Sequence, residues 1–424
     1  MKQHRGNSKT HQGNGHASLN RGLTSLEKAV KERYALGAKE MQPSLCCPVE
    51  YEPKYLKVIS KEILEKDYGC GDPSRYLKEG DVVLDLGSGG GKICYIASQV
   101  VGPSGKVIGV DFNPAMLVLA RKYQKEIGER IGWHNVEFKW GKIQDLKTDV
   151  EVLKQFLESR PVDSVQGFFD LKEAVMEVQA KSPLIPDGSV DIVVSNCVLN
   201  LVRSEHKQRL FSEMFRVLKR GGRVAISDIV SDEWVPEDMQ RDPELWSGCI
   251  SGAFEEKAFV KAFEDAGFYG IEIEKRDEKP WRTVRGIEFR SVTLTAYKGK
   301  EGECWERNQA VIYRGPWKQV WDDDGHVLKR GVRTAVCDKT FQIYTRAPYQ
   351  DQIISVNPRK NIPLSKAQPF SATKKADPRL PSGGQASSGG DCKRSVERHP
   401  RETKGVGYKA STEVSAVCRE EACC

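Results

Sequence analysis

Residues 81–111, DVVLDLGSGGGKICYIASQVVGPSGKVIGVD, join two short apolar runs through a glycine-rich turn and an apolar stretch of helical length, and the second run ends on an acid. DVVLDL (81–86) reads as a buried strand, KICYIASQVV (92–101) as the helix that follows it, and KVIGVD (106–111) as the next strand. Working outward, PAMLVLARKYQKEI (114–127) has apolar residues at helical spacing behind Asn113, a side chain suited to an N-cap. VEFKW (136–140), DIVVSN (191–196) and RVAISDIV (223–230) read as further strands, and EHKQRLFSEMFRVLKR (205–220) as a helix closed by Gly221-Gly222 at its C-cap. Strands alternating with helices predict an α/β fold: a doubly wound, mostly parallel sheet, with ligands bound outside the carboxyl ends of the strands.

The chain has 424 residues, enough for two or three folded units. Its net charge of +7 suggests nucleic acid until it is partitioned along the chain. Residues 1–24 carry four basic and no acidic residues, and residues 359–424 carry thirteen basic and seven acidic, so 25–358 are left at −3. A basic binding face, and with it a nucleic-acid partner, is not supported. No apolar run approaches the roughly 18 residues that span a bilayer, so no membrane partner is expected. The polar start MKQHRGNSKTHQGNGHASLNRG lacks the apolar stretch of a secretory signal, and the expected location is the cytoplasm.

The reading divides the chain into a disordered basic arm (1–24), where His4, His11 and His16 have no helical period, and an N-terminal helical segment (25–80). An α/β domain (81–235) follows, interrupted by a polar helical insertion at about 147–186, and then a segment that ends the core (236–298). AVIYRG and TAVCDKTFQIYT read as short strands of a small α+β unit (299–358). The last stretch (359–424), rich in Pro, Ser, Gly and Lys, reads as a disordered tail that ends in Cys418, Cys423 and Cys424 and is dispensable for folding.

A dinucleotide loop needs glycine at the sixth position of G-x-G-x-x-G, and here Lys92 stands there. The spacing is instead G-x-G-x-G after an acid, which resembles the cofactor loop of class I methyltransferases that use S-adenosylmethionine. That resemblance implies a seven-stranded-type sheet. It also gives Asp85 the network beneath the loop, the Gly87, Ser88, Gly89 and Gly91 backbone the methionine part, and Asp111 both ribose hydroxyls. Asp111 lies 20 residues past Gly91, about the offset that ribose recognition requires.

Three cysteines fall at strand edges on the ligand side: Cys70 in YGCGDP before the first strand, Cys197 in VVSNCVLNLV after the fourth, and Cys249 in WSGCISGA after the fifth. Thiolates are soft donors and need no C-x-x-C pair when they converge from separate loops. In order, YGCGDP, LDLGSGGGKICY, DIVVSNCVLNL, FRVLKRGG, ISDI and WSGCISGA resemble the arsenite methyltransferases, over residues of about 44–300 and less tightly through 350. The resemblance implies methyl transfer from S-adenosylmethionine to arsenite and methylated arsenicals. It gives Cys197 and Cys249 the trivalent arsenic, and makes Cys70 a third thiol in binding and redox turnover. It also implies a partner thiol for Cys70 in PSLCCPV, where Cys46 and Cys47 both qualify and Cys46 is favoured, with a thioredoxin- or glutathione-type reductant to reset the pair. Cys94, Cys304, Cys337 and Cys392 match no site. Two other readings compete: a methyltransferase for an organic acceptor, for which Tyr68, Trp246 and Glu288 are the candidate pocket residues, and a non-catalytic arsenic-binding protein that has no reason to keep the cofactor loop.

Overall fold

The structure is a computed structural model that describes residues 15–45 and 49–370. Nine strands form one sheet: β1 (Val82–Leu86), β2 (Lys106–Asp111), β3 (Val136–Trp140), β4 (Val190–Asn196), β5 (Leu218–Ser231), β6 (Phe254–Glu255), β7 (Tyr269–Arg276), β8 (Arg282–Val284) and β9 (Ile287–Tyr297). The spatial order is β3-β2-β1-β4-β5-β9-β7, with β6 on the end of β5 and β8 on β9. Strands β1 to β5 run parallel, and β9 is antiparallel to both β5 and β7. This is the class I methyltransferase sheet expected from the sequence. Its central strands are apolar on both faces: Val83, Val107, Ile192 and Val194 pack into one core, while Leu84, Leu86, Ile108, Val110 and Val193 pack into the other. A parallel strand covered by helices on both sides requires that pattern.

Helix Lys92–Val101 opens directly on the glycine turn, and Asn113 caps helix Pro114–Lys122 by accepting the Ala115 amide at 3.1 Å. In the 147–186 insertion, helices Val150–Ser159 and Val165–Lys181 start on the Asp149 and Ser164 side chains and bury no residue. Among the described residues, no helix is long and apolar enough to cross a membrane.

Four features differ from the sequence reading. Helix α1 (Gly15–Gly37) begins inside the segment expected to be a disordered arm. Leu19, Leu23, Leu26 and Val30 recur at helical spacing there, and the helix continues through Tyr34 to the core. Helix Ser204–Val217 stops before Gly221-Gly222, which lie within β5 instead of capping the helix. Gly221, at φ +83°, lets the strand turn back so that its amide reaches the Lys298 carbonyl at 2.8 Å. In TAVCDKTFQIYT only Arg333–Val336 is strand; Cys337 then accepts the Thr340 amide and starts helix Asp338–Tyr344. Lastly, the small unit does not end at 358. Gln368–Pro369 pair with Trp305–Glu306, and Arg307 donates to the Ile362 carbonyl at 2.7 Å and to Asn361 Oδ1 at 2.8 Å.

The boundary of the dispensable tail therefore moves to Phe370. A chain ending at Phe370 should melt within a few degrees of the full-length protein. A chain ending at Pro358 loses those hydrogen bonds, each of about 1 kcal/mol, and should melt lower by about 2–4 °C per kcal/mol lost. Equal melting temperatures for the two chains would show that 359–370 contribute nothing.

Candidate functional site

The turn between β1 and the following helix is left-handed at Gly87 (φ +73°), Gly89 (φ +51°) and Gly91 (φ +90°). A Cβ on Gly87 would lie 2.4 Å from Val198, and one on Gly91 2.8 Å from Phe138, whereas one on Gly89 would meet nothing within 4 Å and enter the cleft that the loop lines. Asp111 at the end of β2 accepts the Gly89 amide at 2.8 Å and the Asn113 amide at 2.7 Å. Burial raises its pKa, and those backbone donors pull it back. Asp85 is fully enclosed and takes the Cys94 thiol as donor at 3.2 Å; burial pushes its pKa up to about 7.

The loop, Asp85 and Asp111 form one wall of this cleft; Glu27, Val30, Lys31 and Tyr34 of α1 form another, with Met116, Ile143 and Gln144 beside them. A sulfonium nucleoside fits these residues: a bare glycine edge lies open to it, two carboxyls complement its positive charge, and the buried Ser88 hydroxyl has no protein partner.

Beside the glycine loop the cleft is also lined by Asn196, Cys197 and Val198, and Cys197 belongs to the buried cluster where the three cysteines converge. Cys70, Cys197 and Cys249 are 3 %, 5 % and 3 % exposed and share one buried cluster with Ile229, Val235, Met239 and Phe289. The Cys197 side chain lies within interaction range of those of both Cys70 and Cys249, and the Cys249 thiol donates to the Cys197 carbonyl at 3.3 Å. Cys197 (φ 63°) and Cys249 (φ 60°) are both left-handed, an uncommon backbone for a residue with a Cβ and one that concentrates at functional sites. The hydrogen bond from Cys249 lowers the Cys197 pKa, but the one to Cys70, burial and nearby negative groups outweigh it, and the thiol sits well above its ordinary range. Cys249 is raised likewise, by its hydrogen bond with Cys197 and by burial. Both are therefore thiols, not thiolates, in the unliganded protein.

Several residues here escaped the sequence reading. Asn196 Oδ1 accepts the Cys70 and Gly71 amides at 2.9 and 3.1 Å, and its Nδ2 donates to the Gly71 carbonyl at 2.7 Å. Tyr34 shares a 3.8 Å hydrogen bond with Cys249 Sγ. Asp228 accepts from the Leu199 and Ile229 amides and from Asn200 Nδ2, all at 2.8 Å, beneath the Cys197 turn. Only position after a strand end could have signalled Asn196 and Gln144. Of the candidates for an organic acceptor pocket, Tyr68 lines the cleft while donating to the Gly37 carbonyl; Trp246 donates to the Leu201 carbonyl and Glu288 pairs with Arg290, and neither lines it. Cys46, Cys47, Cys392, Cys418, Cys423 and Cys424 lie outside the described residues.

A family model described as a methyltransferase domain matches residues 77–267, and one described as a domain of unknown function matches 300–388. An arsenite methyltransferase of Aquipseudomonas alcaligenes is 31 % identical over 322 residues, 72 % of this chain and 83 % of its own. The chain belongs to the arsenite methyltransferase family. The arsenite methyltransferase of Mus musculus is 27 % identical over 405 residues, covering 88 % of this chain and 98 % of its own. A crystal structure of CrArsM, an arsenic(III) S-adenosylmethionine methyltransferase from Chlamydomonas reinhardtii, is 26 % identical, covers 72 % of this chain and 95 % of its own, and has a TM-score of 0.48. This arsenite methyltransferase uses S-adenosylmethionine, and arsenite is its substrate.

Asp111→Ala should weaken cofactor affinity at least about tenfold, since each hydrogen bond to a charged carboxylate is worth about 1.5–3 kcal/mol. Asp85 is mostly protonated below pH 7, and a cation entering the cleft favours its charged form. Cofactor affinity should accordingly rise as pH is raised from 6 to 8, and Asp85→Asn should flatten that rise. Calorimetric titration tests both; undiminished affinity in Asp111→Ala, or an unchanged pH profile in Asp85→Asn, removes that residue from the site.

Proposed function

We propose that Cys70, Cys197 and Cys249 hold trivalent arsenic at the carboxyl ends of β4 and β5, facing the methyl donor. The observation that carries this is the position of Cys197, which lines the cleft while sharing one buried cluster with both other cysteines. Arsenous acid exchanges hydroxyls for thiols: each arsenic–oxygen bond breaks, an arsenic–sulfur bond forms, and the thiol proton leaves with the hydroxide as water. Protonated cysteines suit that exchange, and no general base is required.

When bound, S-adenosylmethionine supplies an electrophilic methyl group. The cysteines would supply the geometry: arsenic bound by sulfur keeps its lone pair, and the glycine edge and the two carboxyls would hold the donor in the cleft that Cys197 lines. Catalysis is mainly positioning. Gly87, Ser88, Gly89 and Gly91 would seat the methionine part and Asp111 the ribose hydroxyls, with Asp85 ordering the network beneath the loop.

Lone-pair attack carries arsenic from the trivalent to the pentavalent state, and return to a trivalent product needs two electrons. Cys70 supplies them with Cys46 by forming a disulfide, which a glutathione- or thioredoxin-type reductant reopens. We assign the protein to the cytoplasm, a reducing compartment that supplies such a reductant.

Loss of either central thiol forfeits a soft-donor bond that a serine oxygen does not replace. Cys197→Ser and Cys249→Ser should each abolish methylation of arsenite and of monomethylated arsenic. Cys70→Ser and Cys46→Ser should impair arsenite more than the methylated substrate, which needs fewer thiols. A Cys197→Ser/Cys249→Ser double variant that methylates arsenite at the parent rate, assayed with labelled cofactor, removes the thiols from the reaction.

The raised thiol pKa values set the sign of a second test. A thiolate site would take up a proton as each hydroxyl leaves, so its affinity would fall as pH rises. A thiol site releases only water, so arsenite affinity should change less than about twofold from pH 6.5 to 8, below and around the ordinary cysteine pKa of about 8.5. A fall of about tenfold per pH unit would mean that the cysteines are already ionised.

A further inference from the structure

The methyl-transfer cleft leaves two cysteines of the small unit without a role. Cys304 is exposed and precedes strand Trp305–Glu306, and its carbonyl accepts the Phe370 amide at 2.8 Å. Cys337 is buried at the head of helix Asp338–Tyr344. Its sulfur accepts the Thr340 amide at 3.4 Å and shares a hydrogen bond with Thr340 Oγ1 at 3.2 Å. Neither is in a disulfide, yet the two side chains lie within interaction range of each other, and Arg307 and Asp338, three and one residues further along, are paired at 2.8 Å. Lys339 is tethered to the Gly302 carbonyl at 3.0 Å. One sulfur is thus anchored and sheltered, and the other is open to solvent beside a cation.

Two thiols in contact can be joined directly or through a soft atom between them. A disulfide needs an oxidant and would turn the Cys337 sulfur into a poorer acceptor for the amide and hydroxyl of Thr340. A bridging soft electrophile needs no oxidant and leaves thiolate-like sulfur, the better acceptor for both. The enzyme's own activity supplies such electrophiles: arsenite is its substrate, and methylated trivalent arsenicals follow from it. Among the described residues the remaining cysteines, Cys70, Cys94, Cys197 and Cys249, belong to the clusters of the large sheet. A centre at Cys304 and Cys337 therefore has two sulfur ligands, and a species with two exchangeable hydroxyls saturates it.

We propose that Cys304 and Cys337 form a two-thiol clamp for monosubstituted trivalent arsenicals, separate from the methyl-transfer site. In the binding step two arsenic–oxygen bonds break and two arsenic–sulfur bonds form. Both thiol protons leave with the hydroxides as two waters, no electrons move, and arsenic stays trivalent. Burial and Cys337 raise the Cys304 pKa and Lys339 only opposes that rise, so Cys304 enters the exchange as a thiol, and Thr340 steadies the Cys337 sulfur. In the region matched as a domain of unknown function, the clamp would hold methylated arsenic on the enzyme.

The test uses the reduced full-length chain and monomethylarsonous acid as the probe. After equilibration the protein is treated with iodoacetamide, and protected cysteines are mapped by peptide mass spectrometry while native mass spectrometry counts arsenic per chain. Cys304 and Cys337 should be protected together. Cys304→Ser and Cys337→Ser should each remove one arsenic per chain, the double variant no more, and each single change should lower affinity at this site about tenfold or more, because the second sulfur binds at high effective concentration. Cys304→Ser alters an exposed side chain, so it decides the matter even if Cys337→Ser misfolds. Protection of Cys337 at undiminished affinity in Cys304→Ser would mean a single-thiol adduct and overturn the clamp. Isolation of a Cys304–Cys337 disulfide with no arsenic adduct would overturn it too. Failure of the thiol site in the cleft reads out separately, as loss of protection at Cys70, Cys197 and Cys249.

Discussion

The side-chain amide of Asn196 does what no backbone pairing does among the described residues: it fastens a loop from before the first strand onto the end of the fourth. Its oxygen takes the amides of Cys70 and Gly71, and its nitrogen holds the Gly71 carbonyl. The loop comes this close because Gly69 and Gly71 have no Cβ. One on Gly69 would lie 2.2 Å from the Asn196 amide nitrogen, and one on Gly71 2.5 Å from Ser227 Oγ. Ser291 adds a donor to the Cys70 carbonyl at 2.6 Å. The first cysteine of the site is thereby placed by hydrogen bonds to β4 and β9, elements remote from it in sequence.

The other two cysteines are placed by strain that their surroundings hold. A left-handed residue with a Cβ costs of order 1–3 kcal/mol, and Cys197 and Cys249 both bear it. Beneath Cys197 the buried Asp228 carboxyl gathers three donors, and burial raises its pKa to about 6. Its charge and hydrogen bonds fix residues 198–200, whose Asn200 carbonyl lies against Gly252 so closely that a Cβ there would sit 2.0 Å away. Lys207, which burial lowers to about 8, then holds the Gly252 carbonyl at 2.6 Å. The Cys197 and Cys249 turns are thus one packed assembly, and a change in either moves both.

Helix α1 completes the site from outside the sheet. Arg33 donates to the Glu244 carbonyl and Ser247 Oγ, both at 3.0 Å, while the Lys31 carbonyl accepts from Asn113 at 3.0 Å. One helix therefore touches the segment that carries Cys249 and the cap that follows Asp111. It roofs the cleft between methyl donor and thiols, and its Tyr34 reaches Cys249.

The fold was legible from local pattern. Apolar strands, the G-x-G-x-G turn and Asp111 are set by short-range rules, since strand burial and glycine backbone freedom act over a few residues. That Cys70, Cys197 and Cys249 fall together was legible too, because strand ends in a parallel sheet share one face. The sequence did not reveal Asn196 as a clamp, Asp228 as a support or α1 as a roof, for these act across separations that no spacing encodes. Gly221-Gly222 read as a helix cap because a positive φ serves a cap and a strand irregularity alike, and only pairing with Lys298 decides between them. The contact of Cys304 with Cys337 was equally hidden. By itself the sequence determined the sheet and its glycine turn; the tertiary structure alone decided which side chains meet, because side-chain distances are set by packing between elements far apart in the chain.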